Sequence, residues 1–361
     1  MTLLALLLSP PAVPVPEIDP PASTGNLVNK AIYGSDSRQE HSAMPPEWTS
    51  IGDAVAMIYD TQSNRVFDSQ GVFQYEQSLR DKKGDCDGTP LRFSDQPTPG
   101  RCTATLIAPN KVATAGHCFK PHLCGRLAFA FGATTDAMVR GTPFAADRLY
   151  SCGSVEISVS TGGKDWAVVR LDRSVPDSVA SPVRVASTEV AIGTPVMSIG
   201  HPDGLPRKYA GDAQVKEVMQ SGTDAFRFST NVDAFVGSSG SGVFDMSGEM
   251  VGILINGNRD YDDKGCAITY PQEQGREWAT GAKLLLPYSS FPSPLAPSPP
   301  PPPPPSPPPP PPPKPPPPPS PPPKPPPPPS PPPKPSPPPP PPPKPSPPPP
   351  PKQPRRSFWC F

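Results

Sequence analysis

A serine, a histidine and an aspartate, each set in a short distinctive stretch, are the residues of this chain best suited to do chemistry. The stretches are Thr-Ala-Gly-His-Cys at 114–118, Asp-Trp-Ala-Val-Val-Arg-Leu at 165–171 and Gly-Ser-Ser-Gly-Ser-Gly at 237–242. A serine hydroxyl is a weak nucleophile at neutral pH. A neutral imidazole within reach takes its proton, and an anion fixes the imidazole tautomer and stabilises its charged form. His117, Asp165 and Ser239 supply these three groups, the outline of an acyl-transfer site.

The choice of residues follows from their neighbours. Of the four histidines, His41 lies in a Pro-rich entry segment, His122 in a Pro/Gly/Cys loop and His201 in a His-Pro-Asp-Gly turn. His117 alone sits between a strand-like run and a cysteine. A Cys102–Cys118 disulfide would pin the loop that carries it. Asp165 follows a Gly-Gly-Lys turn and opens a run that reads as buried, so its carboxylate is placed against the core, where an imidazole can reach it. Ser239 is the serine that satisfies Gly-x-Ser-Gly. Gly237 and Gly240 let the backbone turn sharply, and the amides of Gly237 and Ser239 can converge as an oxyanion hole.

Elements that could position these groups are strands. Apolar and β-branched runs at 54–58, 104–107, 127–131, 155–159, 166–171, 195–199 and 251–255 alternate with turn signals, the pattern of an all-β barrel or sandwich. One short helix is expected over 274–285. Residues 174–187 divide the strands into two groups, one for each of two barrels.

Composition sets the outer limits. The chain has 361 residues and 69 prolines, most of them beyond Phe291, so the folding part is confined to the first 290 or so. Lys+Arg and Asp+Glu both total 32, leaving no global field to attract nucleic acid or an anionic membrane. No run approaches the ~20 apolar residues of a membrane span. Six of the seven cysteines fall in the folding part and none forms a C-x-x-C pair, which fits an oxidising compartment and disfavours a zinc site. Of the pairings open to Cys86, Cys124, Cys152 and Cys266, Cys124 with Cys152 is favoured.

Three segments are expected. Residues 1–30 read as a signal or leader, with a propeptide included, because a Leu-rich run at 3–8 precedes Ser-Pro-Pro-Ala. Residues 31–290 form the folded domain. Residues 291–361 are a proline-rich tail punctuated by serine and lysine, for which disorder or polyproline II is the default because proline fixes φ and lacks a donor. Sixty such residues would extend about 190 Å.

Taken together, these residues resemble the trypsin-like serine peptidases, and within them the bacterial-type branch that includes the V8-like glutamyl endopeptidases. The resemblance runs from about 31 to 286 and rests on Ala-Ile-Tyr-Gly-Ser-Asp-Ser-Arg at 31–38, the three stretches above, and Ile-Gly-His-Pro-Asp-Gly-Leu-Pro at 199–206. The order His, Asp, Ser also separates the chain from α/β-hydrolases and subtilisins, which use other orders. The resemblance implies two antiparallel six-stranded β-barrels with the site in the cleft between them, hydrolysis through an acyl-enzyme, and no cofactor or metal. It carries the base onto His117, the orienting acid onto Asp165, the nucleophile onto Ser239 and the oxyanion donors onto Gly237 and Ser239. The tail resembles the Ser-Pro repeats of extensins and other wall glycoproteins.

Departures from the family are informative. Ser238 stands where trypsin-type zymogens place the Asp that receives a freed N-terminus, so activation by that ion pair is not expected. A cut at Lys30–Ala31 is the expected processing site in its place. Asp233, six residues before Ser239, falls where trypsin carries its specificity Asp and hints at Arg or Lys at the cleavage site, although relatives that cleave after Glu share the spacing. The absence of His from 252–257, which the resemblance makes the substrate-pairing segment, argues against glutamyl specificity. The expected function is a secreted serine endopeptidase acting on protein or peptide substrates, spaced from or anchored to matrix glycans or glycoproteins by its tail. A catalytically silent domain within a structural wall glycoprotein is the alternative.

Overall fold

The computed structural model describes residues 31–62, 66–161, 163–221 and 225–290. The leader before Ala31 and the proline-rich tail lie outside the described residues. Strands dominate. A first group, β3 (Val55–Asp60), β4 (Gly100–Ala108), β5 (Lys111–Thr114), β6 (Leu127–Phe131), β7 (Leu149–Thr161) and β8 (Lys164–Leu171), closes into an antiparallel barrel in the order β3-β4-β5-β8-β7-β6. The chain then crosses to β9 (Pro195–Gly200), β10 (Lys208–Ser221), β11 (Ala225–Thr230), β12 (Gly242–Asp245), β13 (Met250–Asn256) and β15 (Glu277–Gly281). These pair as β11-β15-β13-β12-β9-β10, and β10 returns to β11, so the second group also closes into six strands. The entry strand β2 (Arg38–Glu40) adds to the outside of β10, and β1 (Ile32–Tyr33) pairs in parallel with β14 (Thr269–Tyr270). The expected all-β architecture of two six-stranded antiparallel barrels is what forms.

Side-chain period explains the barrels. In β6 the alternation of Leu127, Phe129 and Phe131 with Ala128 and Ala130 sends large residues into the barrel and small ones outward. The outward alanines are not wet; Phe73, Tyr75 and Phe144 of the flanking segments cover them. The second barrel fills with Val196, Val215, Phe228, Val243 and Leu254.

Each strand expected from the sequence is present, and β8 and β9 flank the expected division between the barrels. The helix expected over 274–285 forms only in its last residues. That segment is strand β15 followed by a 3-10 helix over Ala282–Tyr288. Its residues pair with both β11 and β13, a barrel-closing contact that outweighs local helical spacing. Three disulfides join Cys86 to Cys266, Cys102 to Cys118 and Cys124 to Cys152. The last two are the pairs anticipated from the sequence. Among the described residues no helix is long and apolar enough to cross a membrane.

Candidate active site

His117 and Asp165 meet because their strands are neighbours. β5 pairs with β8 with Thr114 opposite Ala167, so the turn just after β5 lies beside the start of β8. In that turn Cys118 N–H donates to Ala115 O at 3.1 Å, and the Cys102–Cys118 disulfide ties it back to β4. Gly116 is required there, since a Cβ at this position would overlap the Val159 carbonyl of β7. The Asp165 carboxylate accepts twice from His117, from the main-chain N–H at 2.8 Å and from ring Nδ1 at 2.6 Å. With Nδ1 committed as donor, Nε2 is the nitrogen left to act as a base. The Asp165 main-chain carbonyl accepts from Thr280 Oγ1 at 3.0 Å, so the acid is held by both barrels. Its side chain is 19% exposed, shielded but not buried.

Ser239 sits on the loop between β11 and β12, where Gly237 and Gly240 have φ of 96° and 87°. Both are left-handed conformations that L side chains rarely adopt. The loop is locked to the second barrel by Gly240 N–H to Leu254 O at 2.8 Å and Leu254 N–H to Ser241 O at 2.9 Å. It is locked to the first barrel by Thr103, whose N–H donates to Ser239 O at 2.8 Å and whose Oγ1 donates to Gly237 O at 2.9 Å. Ser239 Oγ lies 3.5 Å from Ile255 O. One sulfur atom, Cys118 Sγ, is 3.6 Å from both His117 Nε2 and Ser239 O. The strands therefore bring the three sequence-derived groups to one junction between the barrels.

Among the described residues the Gly237 N–H has no acceptor, as expected of an amide kept for a ligand. Ser238 is buried, and its Oγ accepts from Phe235 N–H at 3.4 Å, a contact inside its own loop.

Asp233 is not available for the specificity role expected of it. Its Oδ1 accepts from Tyr33 N–H at 2.7 Å, and its Oδ2 accepts from Ser37 N–H at 2.6 Å and Ser37 Oγ at 2.7 Å. Both oxygens are spent on the chain's own entry segment. Burial raises its carboxyl above the ordinary range, against the lowering effect of those donors. The neighbouring Ala31 N–H and Tyr33 hydroxyl donate to Glu277 Oε1 at 3.0 and 2.8 Å, with Ala31 and Glu277 fully buried. Thr103 and Thr280 were not singled out in the sequence. Thr103 lies in a legible strand and gave no further signal, and Thr280 lies in the stretch that reads as helix.

Residues 102–253 match the family model described as a trypsin-like peptidase domain. The glutamyl endopeptidase of Bacillus licheniformis is 27% identical over 161 residues, which is 41% of this chain and 46% of that protein. The chain thus spans about half the length of this curated relative. Among solved structures, a Glu endopeptidase in complex with MPD has a TM-score of 0.40 at 16% identity, covering 70% of this chain and 94% of that one. The Rv3671c protease of M. tuberculosis in its inactive form has a TM-score of 0.37 at 16% identity, covering 66% and 86%.

Proposed function

Residues 102–253 match the model of a trypsin-like peptidase domain, and from that match we propose that the chain is a serine endopeptidase that hydrolyses peptide bonds through an acyl-enzyme. The observation that carries this reading is the double acceptance of His117 by Asp165, at the main-chain N–H and at Nδ1. In the proposed reaction Ser239 Oγ attacks the scissile carbonyl while its proton passes to His117 Nε2. The Gly237 and Ser239 amides stabilise the oxyanion, and the Nε2 proton then goes to the leaving amine. Water, activated by the same nitrogen, releases the acyl group. Only side chains, main-chain amides and water take part.

Supporting an extracellular setting are the three disulfides, which persist in oxidising compartments. In the full reading, residues 1–30 direct export and are removed before Ala31, and residues 291–361 space the enzyme from matrix glycoproteins. Substrates are proteins or peptides. A fluorophosphonate probe applied to the purified full chain tests the chemistry. Single labelling that disappears in Ser239→Ala is the expected result, and an unlabelled but folded chain would instead indicate a silent domain in a structural protein.

A further inference from the structure

An oxyanion hole is only as good as the orientation of its peptides, and the two peptides that meet at Val236 are each held, Phe235–Val236 at its N–H and Val236–Gly237 at its carbonyl. The Val236 N–H donates to Asp260 Oδ2 at 2.9 Å, and the Val236 carbonyl accepts from the Asp203 N–H. Asp203 is itself held in a left-handed conformation, φ 55°, by the Tyr261 hydroxyl, which donates to its Oδ2 at 2.7 Å. Tyr261 packs its ring 5.2 Å from that of Phe235. Asp260 and Tyr261 belong to a small hairpin closed by Ile268 N–H to Asp260 O at 2.8 Å and Asp262 N–H to Cys266 O at 2.9 Å. The Cys86–Cys266 disulfide fastens this hairpin to the excursion between β3 and β4.

A trans peptide points its carbonyl and its N–H in opposite directions, and no described peptide here is cis. Holding Val236 O on the Asp203 side therefore fixes the Gly237 N–H on the other. Packing does little to hold this peptide, because the Val236 side chain is 42% exposed. Glycine at 237 also makes rotation of the peptide plane cheap. A rotated plane would aim a carbonyl dipole, not an N–H, at the developing oxyanion. We propose that Asp260 and Tyr261 are positioning residues for the oxyanion-stabilising amide of Gly237, Tyr261 through Asp203 on the Val236–Gly237 carbonyl and Asp260 by fixing the peptide before it, from which that plane would have to rotate. The inference rests on the serine peptidase reading.

The test is the pre-steady-state acylation of the full chain by p-nitrophenyl acetate, with thermal unfolding measured for each variant. Asp260→Ala should lower the limiting acylation rate about 10- to 100-fold, short of the ~10²–10³ seen when an oxyanion donor is removed outright. Half-saturation should move less than about twofold, since the ground-state carbonyl does not use the hole. Asp260→Asn keeps an acceptor for the Val236 N–H and should restore the rate to within about threefold. Tyr261→Phe should slow acylation about 3- to 10-fold with half-saturation unchanged. A folded Asp260→Ala that acylates at the wild-type rate overturns the proposal, as does an Asp260→Asn no faster than Asp260→Ala. Should Asp260→Ala not fold, Tyr261→Phe acylating at the wild-type rate overturns it. Failure of the peptidase reading has a different signature, a wild-type chain that does not acylate at all.

Discussion

Asp165 accepts two hydrogen bonds from one residue, His117, using one carboxylate oxygen for the main-chain N–H and the other for Nδ1. The first positions the backbone of the loop and the second selects the tautomer of the ring. In Asp165→Asn the amide replaces one acceptor with a donor, so the ring turns over to the tautomer in which Nε2 carries the proton. Peptide hydrolysis should fall by about 10⁴ in kcat with little change in thermal stability. Steady-state kinetics beside a melting curve decide the point; loss of stability in proportion to activity would contradict it.

Asp233 is a structural anchor for the entry segment. Asp233→Ala leaves Tyr33 N–H and Ser37 N–H without their acceptor and Ser37 Oγ with Gly211 O at 3.3 Å, at a cost of about 3 kcal/mol. Urea unfolding measures that loss. A mapped peptide-library digest should show the same residue preference at the cleavage site before and after substitution. A changed preference would restore the specificity role.

His201 is fully buried, its Nδ1 donating to Leu205 O at 2.9 Å. Burial pushes its pKa from 6.5 down to about 3. Between those values the unfolded chain takes up a proton that the folded chain refuses, so this contribution to stability is complete above pH ~6.5 and is lost as pH falls toward 3. Comparison with His201→Gln at pH 7 and at pH 4.5 isolates the effect. The wild-type chain should lose about 3 kcal/mol more than the variant over that interval.

The Cys102–Cys118 disulfide closes a short loop, with a sequence separation of 16. Replacing both cysteines with alanine should cost about 3 kcal/mol, and kcat should fall further than stability alone explains, because Cys118 adjoins His117. Activity measured well below the melting temperature separates the two effects; full kcat there would show that the turn needs no covalent tie.

Much of this was legible in the sequence, and the exceptions share a cause. Strands such as β6 declare themselves through period-two alternation, and the His117 and Ser239 loops through glycine and cysteine at fixed offsets. The segment at 274–285 misleads because Trp278, Ala282 and Leu285 recur at helical spacing, while what decides its conformation is pairing with Arg227–Thr230 and Ile253. Counting back from Ser239 finds Asp233 but not the occupants of its oxygens, which lie 200 and 196 residues away. The grip on Val236 is equally invisible, since the His-Pro-Asp-Gly turn that marks Asp203 says nothing of Tyr261, 58 residues away.

Residues 31–38 bond to Asp233, Ile268, Tyr270 and Glu277, and β2 to the strand at 208–210. The first barrel, whose strands run from 55 to 171, closes on its own strands. During synthesis it can close while the entry segment still waits for partners that emerge some two hundred residues later. Docking of that segment is therefore among the last events of folding, with the highest loop-closure cost in the domain. Because Asp233 lies six residues before Ser239, the nucleophile loop gains its final support only when the earliest described residues have come home.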